Sequence, residues 1–470
     1  MGCLQMFLLS VFLIGAILIY QYNNLCAPVD PPTLNLTAYW GSGNGSDYKE
    51  SDEIHLQKII YFDKPVNRLK QHLKDFDLIT ESLEGVGFEY GINSNKLKSF
   101  IKYWRDDYLP RWKWDREHTL NLLPHYLTVI QGLAIHYIHT KVELDRVKGR
   151  VPKPLLLLHG WPGSVREFYD IIPMLAAPEE TTDATSPIFE VIAPSLPGFA
   201  WSQGSSKTGF GVAEMAVVLR NLMLRLGYKR FYIQGGDWGS ILGSTIAQLF
   251  PENVIGYHSN MCVVNTPLAT IKGVIASFYP PYFVEKEHED FFFPLTEKLE
   301  NLVVETGYFH LQSTKPDTIG IALTNNPIGM AAYILEKFAT WTYPHNKSLP
   351  HGGLDNRKDL YDAYIDNIMI YYLTNSITTS MRLYAESFTQ QQLAYNLERV
   401  PTDVPVGCAR FKNDIVHQFD WQLKDKYPNL IHSTYYEKGG HFIALEAPEV
   451  LYNDFVQFVR KVEKFSQSTK

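Results

Sequence analysis

Cysteine is scarce: Cys3, Cys26, Cys262 and Cys408 are the only four in 470 residues, and none stands in C-x-x-C or Cys/His ligand spacing. That pattern suggests neither a disulfide scaffold nor a zinc site, and no metal is expected. Runs of positive charge are missing as well. The 43 Lys and Arg against 50 Asp and Glu leave a net charge of -7 spread along the chain, without the basic stripe that nucleic-acid binding requires. Nucleic acid is not expected as a partner. Repeats and low-complexity tracts are absent too. At 45% hydrophobic residues the chain has ample material for a large core, and its length fits one large domain carrying an insertion.

Charge is wholly absent from Leu4 to Tyr20, a run close to the roughly 17 to 25 apolar residues that a membrane-spanning helix needs. A retained single-pass anchor over residues 1–22 is expected. The competing reading is a cleaved signal peptide, but no Lys or Arg precedes the run and no small-x-small cleavage site follows between Gln21 and Ala27. Met1-Gly2-Cys3 begins like a myristoylation signal, and Met6 weakens it by standing where Ser or Thr is required. Sequons at Asn35, Asn44 and Asn346 matter only where those segments face a lumen.

Residues 23–51 read as a polar linker with Gly and Ser, and residues 52–124 as a helical extension rich in Trp and Tyr, including Tyr103-Trp104 and Trp112-Lys113-Trp114. From His125 the pattern turns to β-type runs at 127–130, 133–139, 155–158, 189–193, 230–234, 254–258, 404–411 and 432–436. Helical stretches, such as 211–226 and 240–250, lie between several of them. That alternation predicts an α/β fold, a mostly parallel sheet with helices on both faces. The expected core occupies residues 125–265 and 396–470. Between them, 266–395 is dense in aromatics and breaks the rhythm, as a helical cap inserted over the sheet would.

Serine is missing from the position where it would matter, since no Gly-x-Ser-x-Gly occurs anywhere. Gly235-Gly236-Asp237-Trp238-Gly239 has the spacing of that strand-to-helix elbow with a carboxylate in the serine's place. An aspartate, with an ordinary pKa of about 3.9, is already an anion at neutral pH and can attack a strained carbon without a base. His159-Gly160-Trp161-Pro162-Gly163-Ser164 ends an earlier strand, and Gly439-Gly440-His441 closes a late one. The order is nucleophile, acid, base, as in the α/β-hydrolase fold.

Those motifs, with HGWPGSVREFYDIIP, IAPSLPGF, GYFHLQSTKPDTIG, AAYILEKFATWT and EKGGHFIALEAPE, closely resemble microsomal epoxide hydrolases, and in particular the insect juvenile hormone epoxide hydrolase branch. The resemblance runs from about residue 50 onward. It implies cofactor-free hydrolysis of a lipophilic epoxide to a vicinal diol in two covalent steps, at the endoplasmic reticulum membrane, with membrane lipid as the other partner. Asp237 would be the nucleophile and His441 the base that activates water. Tyr308 and Tyr384 would donate hydrogen bonds to the epoxide oxygen. Asp414 would orient His441, with Glu437 and Asp403 as rivals; mammalian relatives carry glutamate at that position, so the shorter side chain is a departure. The backbone N–H groups of Trp161 and Trp238 would form the oxyanion hole, and His159 reads as structural. A haloalkane dehalogenase would share the aspartate elbow but has no need of the tyrosine pair. A non-catalytic hydrolase fold would be expected to show a broken triad.

Overall fold

The computed structural model describes residues 20–61, 63–76, 79–142, 149–177 and 185–468. All but the last residue of the run Leu4 to Tyr20 lies outside them, and no helix among the described residues is long and apolar enough to cross a membrane.

Among the described residues nine strands form one sheet: β1 (Ile54–Gln57), β2 (His125–Ile130), β3 (Leu133–Thr140), β4 (Lys153–Leu158), β5 (Phe189–Pro194), β6 (Phe231–Gly235), β7 (Val254–Ser259), β8 (Val406–Phe411) and β9 (Leu430–Tyr436). Their order is β1-β2-β3-β5-β4-β6-β7-β8-β9. From β5 to β9 all neighbours are parallel, whereas β1, β2 and β3 join by antiparallel pairing. β4 and β6 are buried along most or all of their length, which explains why Leu155 to Leu158 reads as a continuous apolar run rather than an alternation. β1 was not anticipated from the sequence. It is a four-residue edge strand, mostly exposed, within a segment read as helical.

Helices cover both faces. A Cβ on Gly256 would meet Phe458 and Val462 of the helix Pro448–Ser468, while the next residue, Tyr257, packs against Gly243 of the helix Asp237–Leu249. Consecutive strand residues point to opposite faces, so these two helices sandwich the sheet. Between β7 and β8 the chain leaves the sheet for a helical cap. It includes the helices Pro267–Phe278, Leu295–Glu305, Gly307–Thr314, Pro316–Thr324, Pro327–Thr340, Tyr361–Thr374 and Ile377–Ser387.

One feature differs from the sequence expectation. Cys262 and Cys408 form a disulfide despite a separation of 146 residues, because β7 and β8 are neighbours and bring the two segments together. In residues 39–48, Trp40 donates its backbone N–H to the Gln131 carbonyl and the Tyr48 hydroxyl accepts from Gly132, so this stretch straps onto the β2–β3 turn. Of the sequons, Asn346 is buried and its side-chain amide donates to Ala339. That site is closed to glycosylation in the folded chain.

Candidate active site

β6 ends at Gly235 and the next helix starts at Asp237, whose φ of 49° is a conformation that non-glycine residues rarely adopt. The strain turns the carboxylate up from the C-terminal end of the sheet. Small neighbours make room for it: a Cβ on Gly239 would lie 2.1 Å from the Leu158 carbonyl oxygen, and one on Gly160 would lie 2.1 Å from Asp237 Oδ1. With that space open, the Trp161 backbone N–H donates to Asp237 Oδ1 at 2.7 Å. The carboxylate is thus already seated on one of the two backbone donors expected of an oxyanion hole.

The turn that supplies this N–H is held from the cap. Asn367 donates to the Pro162 carbonyl at 2.7 Å, Tyr371 donates to the Gly163 carbonyl at 2.7 Å, and the Ser164 hydroxyl donates to Asn367 Oδ1 at 2.7 Å. Asn367 and Tyr371 lie one turn apart on the helix Tyr361–Thr374, so one helix grips three consecutive residues of the loop. Its Asp366 is fully buried and receives Arg116, Tyr108 and Arg166. The N-terminal extension therefore reaches the site through Arg116 and Tyr108. None of these supports was visible from the sequence, where no spacing links residues 200 positions apart.

His441 follows the turn after β9. Its backbone N–H donates to the Trp341 carbonyl at 2.9 Å and its ring stands edge-on to the Trp341 indole, 5.0 Å between centroids. Nδ1 lies 2.7 Å from Asp414 Oδ1, and Nε2 lies 3.3 Å from Asp237 Oδ2 without hydrogen-bond alignment. Asp414 also accepts the Ile415 N–H at 2.7 Å, which fixes its carboxylate after β8. The rivals fall elsewhere: Glu437 pairs with Lys412, and Asp403 is exposed. Burial pulls the imidazole pKa down, but the Asp414 carboxylate, joined by Asp237, outweighs it and holds His441 well above the ordinary histidine value.

Tyr308 and Tyr384 come from two cap helices, Gly307–Thr314 and Ile377–Ser387, and meet over the elbow. Tyr308 stacks flat on Trp161 at 5.1 Å, and Tyr384 stands edge-on to Trp238 at 4.8 Å and to Tyr308 at 5.9 Å. Both rings are buried. Burial lifts both phenols well above the ordinary value of 10, and the Asp237 charge adds to it, so both remain protonated donors. His159 is occupied in the loop itself, Nδ1 toward the Gly160 carbonyl and Nε2 accepting the Leu196 N–H.

Two cavities adjoin these residues. A small one of about 20 Å³ is lined by Glu167, Gln234, Asp237, Asn260 and His441, enough for about one water. Glu167 was not singled out from the sequence, where it reads as one more polar residue of a helical turn. Burial, partly offset by His441 and reinforced by Asp237, pushes its carboxyl up to about 8. A larger cavity of about 560 Å³ reaches Trp238 and Phe309. Both of these rings contact Tyr384, so it ends one aromatic layer from Asp237.

An aspartate elbow, a histidine paired with a carboxylate, and a capped, mostly parallel sheet define an α/β hydrolase. Comparison with known proteins agrees. A model described as epoxide hydrolase N terminus matches residues 54–168, and one described as alpha/beta hydrolase fold matches residues 153–396. The chain is 45% identical to juvenile hormone epoxide hydrolase 1 of Ctenocephalides felis, over 98% of its length and 97% of that protein's. It is 43% identical to epoxide hydrolase 1 of Oryctolagus cuniculus, covering 91% of this chain and 93% of that one. The crystal structure of juvenile hormone epoxide hydrolase from Bombyx mori superposes with a TM-score of 0.87 at 43% identity, over 92% of this chain and all of that one. The chain belongs to the epoxide hydrolases of the α/β-hydrolase fold.

Proposed function

We propose that this enzyme is membrane-bound and converts lipophilic epoxides, a juvenile hormone foremost, into vicinal diols through an ester on Asp237. The observation that carries this reading is the position of the Asp237 carboxylate, 2.7 Å from the Trp161 N–H, 3.3 Å from His441 Nε2 and beneath Tyr308 and Tyr384.

In the first step Asp237 Oδ2 attacks one oxirane carbon and the C–O bond to the ring oxygen breaks. The electron pair stays on that oxygen, and Tyr308 and Tyr384 donate to it as it becomes an alkoxide. Esterification removes the Asp237 charge that helped hold His441 protonated. The imidazolium then gives up its proton more readily; that proton passes to the alkoxide, which becomes the first hydroxyl, and the neutral imidazole is the base that the second step needs. Water, held in the small cavity, gives a proton to His441 Nε2 and attacks Asp237 Cγ. Trp161 N–H, with Trp238 N–H as the second donor, stabilises the oxyanion; as it collapses the Cγ–O bond to the substrate breaks, the departing oxygen takes the proton of the added hydroxyl, and the diol leaves with Asp237 a carboxylate again. Asp414 keeps the Nδ1 proton in place and stabilises the imidazolium.

Support for the substrate comes from the relatives that carry juvenile hormone epoxide hydrolase as their name, and from the apolar lining of the larger cavity. The uncharged run from Leu4 to Tyr20 supports a retained anchor in the endoplasmic reticulum membrane. Comparing kcat/KM on a juvenile hormone and on styrene oxide tests the substrate. Preference for the hormone is expected; a preference of tenfold or more for styrene oxide overturns the hormone assignment in favour of a broad detoxifying enzyme.

A further inference from the structure

The helix Pro267–Phe278 is apolar on both faces. Ala269, Lys272, Gly273 and Ala276 form its buried face, and the one charge, Lys272, is turned inward to Asp425 at 2.6 Å and to the Trp421 carbonyl. The opposite face repeats the same spacing with Ile271, Val274, Ile275 and Phe278, which are between 43% and 83% exposed. No charged side chain interrupts it. A helix that is hydrophobic all round is normally buried, and a water-facing one carries charge on its outer side. Tyr279 and Tyr282 extend the exposed face beyond the helix end.

The position of this face says what covers it. The helix begins at the rim of the 560 Å³ cavity, where Thr266 and Pro267 line the wall together with Leu25. Asn265 donates its backbone N–H to Glu398 at 2.7 Å, and the adjacent Arg399 grips the carbonyls of Asn23, Asn24 and Ala27. The chain that has just left the uncharged run ending at Tyr20 is therefore fastened to the same rim from which the helix departs. A 12-residue helix spans about 18 Å, so its outer face lies within a short reach of the point where the uncharged run ends.

We infer that the outer face of the helix Pro267–Phe278, with Tyr279 and Tyr282, is seated in the lipid headgroup and upper acyl region of the membrane, and that the large cavity consequently opens at the bilayer surface. Aliphatic side chains flanked by tyrosines are the composition of an interfacial helix. This inference rests on the membrane-bound epoxide hydrolase reading and adds to it a second, specific membrane contact and a route by which an apolar epoxide enters without crossing water.

The test uses the full-length chain in phosphatidylcholine vesicles, with Cys3 and Cys26 replaced by serine and a bimane label at Phe278→Cys. A second sample carries the label at Val151→Cys, an exposed residue just before β4, at the end of the sheet opposite the site. Lipids bearing a shallow nitroxide are expected to quench the label at 278 several times more than that at 151. The triple variant Ile271→Asp, Val274→Asp, Phe278→Asp is expected to raise KM severalfold for a vesicle-dissolved epoxide, and to leave its kcat and the kcat/KM of a water-soluble epoxide unchanged. Equal quenching at the two positions overturns the inference, as does cross-linking of position 278 between copies, which would make a second chain the cover. Hydrolysis measured in the same vesicles separates the two proposals: turnover with equal quenching sinks only the docking face, whereas loss of all epoxide turnover in the unlabelled chain sinks the functional reading.

Discussion

Nδ1 of His441 lies 2.7 Å from Oδ1 of Asp414, while Nε2 of the same ring lies 3.3 Å from Oδ2 of Asp237. One imidazole therefore stands between two carboxylates, and in the proposed mechanism it is Asp237 that gives up its charge when the ester forms. In that mechanism the loss sets when His441 is an acid and when it is a base.

Replacing Asp414 with asparagine is expected to slow ester hydrolysis by on the order of 10³ to 10⁴, as loss of the orienting carboxylate does in serine hydrolases. Formation of the ester should change far less. Rapid-quench mass spectrometry on Asp414→Asn would show a burst of alkyl-enzyme followed by slow decay; parallel loss of both steps would place Asp414 outside the hydrolytic step.

Tyr308→Phe and Tyr384→Phe each remove one donor to the ring oxygen, leaving the other in place. Each is expected to slow ester formation roughly tenfold, and the pair by at least about 10², within the usual range for acid catalysis. Pre-steady-state quenching of Trp fluorescence on mixing with substrate reads that step. An unchanged rate in the double variant would remove the tyrosines from the chemistry.

The parts legible from sequence share one property: each is a local pattern with a local cause. The elbow shows because Gly239 must pass within contact distance of the Leu158 carbonyl, and β4 shows because a strand covered on both faces must be apolar throughout. His441 shows because its turn carries two glycines. What stayed hidden is non-local. Cys262 and Cys408 meet only because β7 and β8 pair, and Asn367 and Tyr371 hold the Pro162-Gly163 turn from more than 200 residues away. β1 carries no strand signal in the sequence because it is short and mostly exposed, so it lacks the alternation that marks a half-buried strand.

Gly239→Ala is expected to destabilise the fold by about 1 to 3 kcal/mol or more, since the added methyl meets a backbone oxygen that cannot rotate away. Gly307→Ala, where a Cβ meets nothing within 4 Å, is the control and should be neutral or slightly stabilising. Urea denaturation midpoints compare the two. Equal midpoints would mean that the elbow relaxes around the methyl.

Stability should fall between pH 4.5 and about 8. Glu167 and Glu446 are both held up to about 8 in the folded chain, with burial the main cause. Below pH 4.5 both states hold these protons; as pH rises the unfolded chain releases them first, so the folded state loses its advantage until it too deprotonates. Glu167→Gln should therefore gain stability over the parent at pH 8 and little at pH 4.5. Thermal midpoints across that range check it, and a pH-independent difference would show that Glu167 titrates normally.

In the proposed mechanism water attacks the Asp237 ester rather than the epoxide. A single turnover in ¹⁸O-water, with enzyme in excess, followed by mass spectrometry of the peptide containing Asp237, tests it most directly. Label is expected in the Asp237 carboxylate while the diol of that first turnover stays unlabelled, and His441→Gln should trap the ester before label enters. Label in the diol of the first turnover, with none on Asp237, would contradict the covalent mechanism.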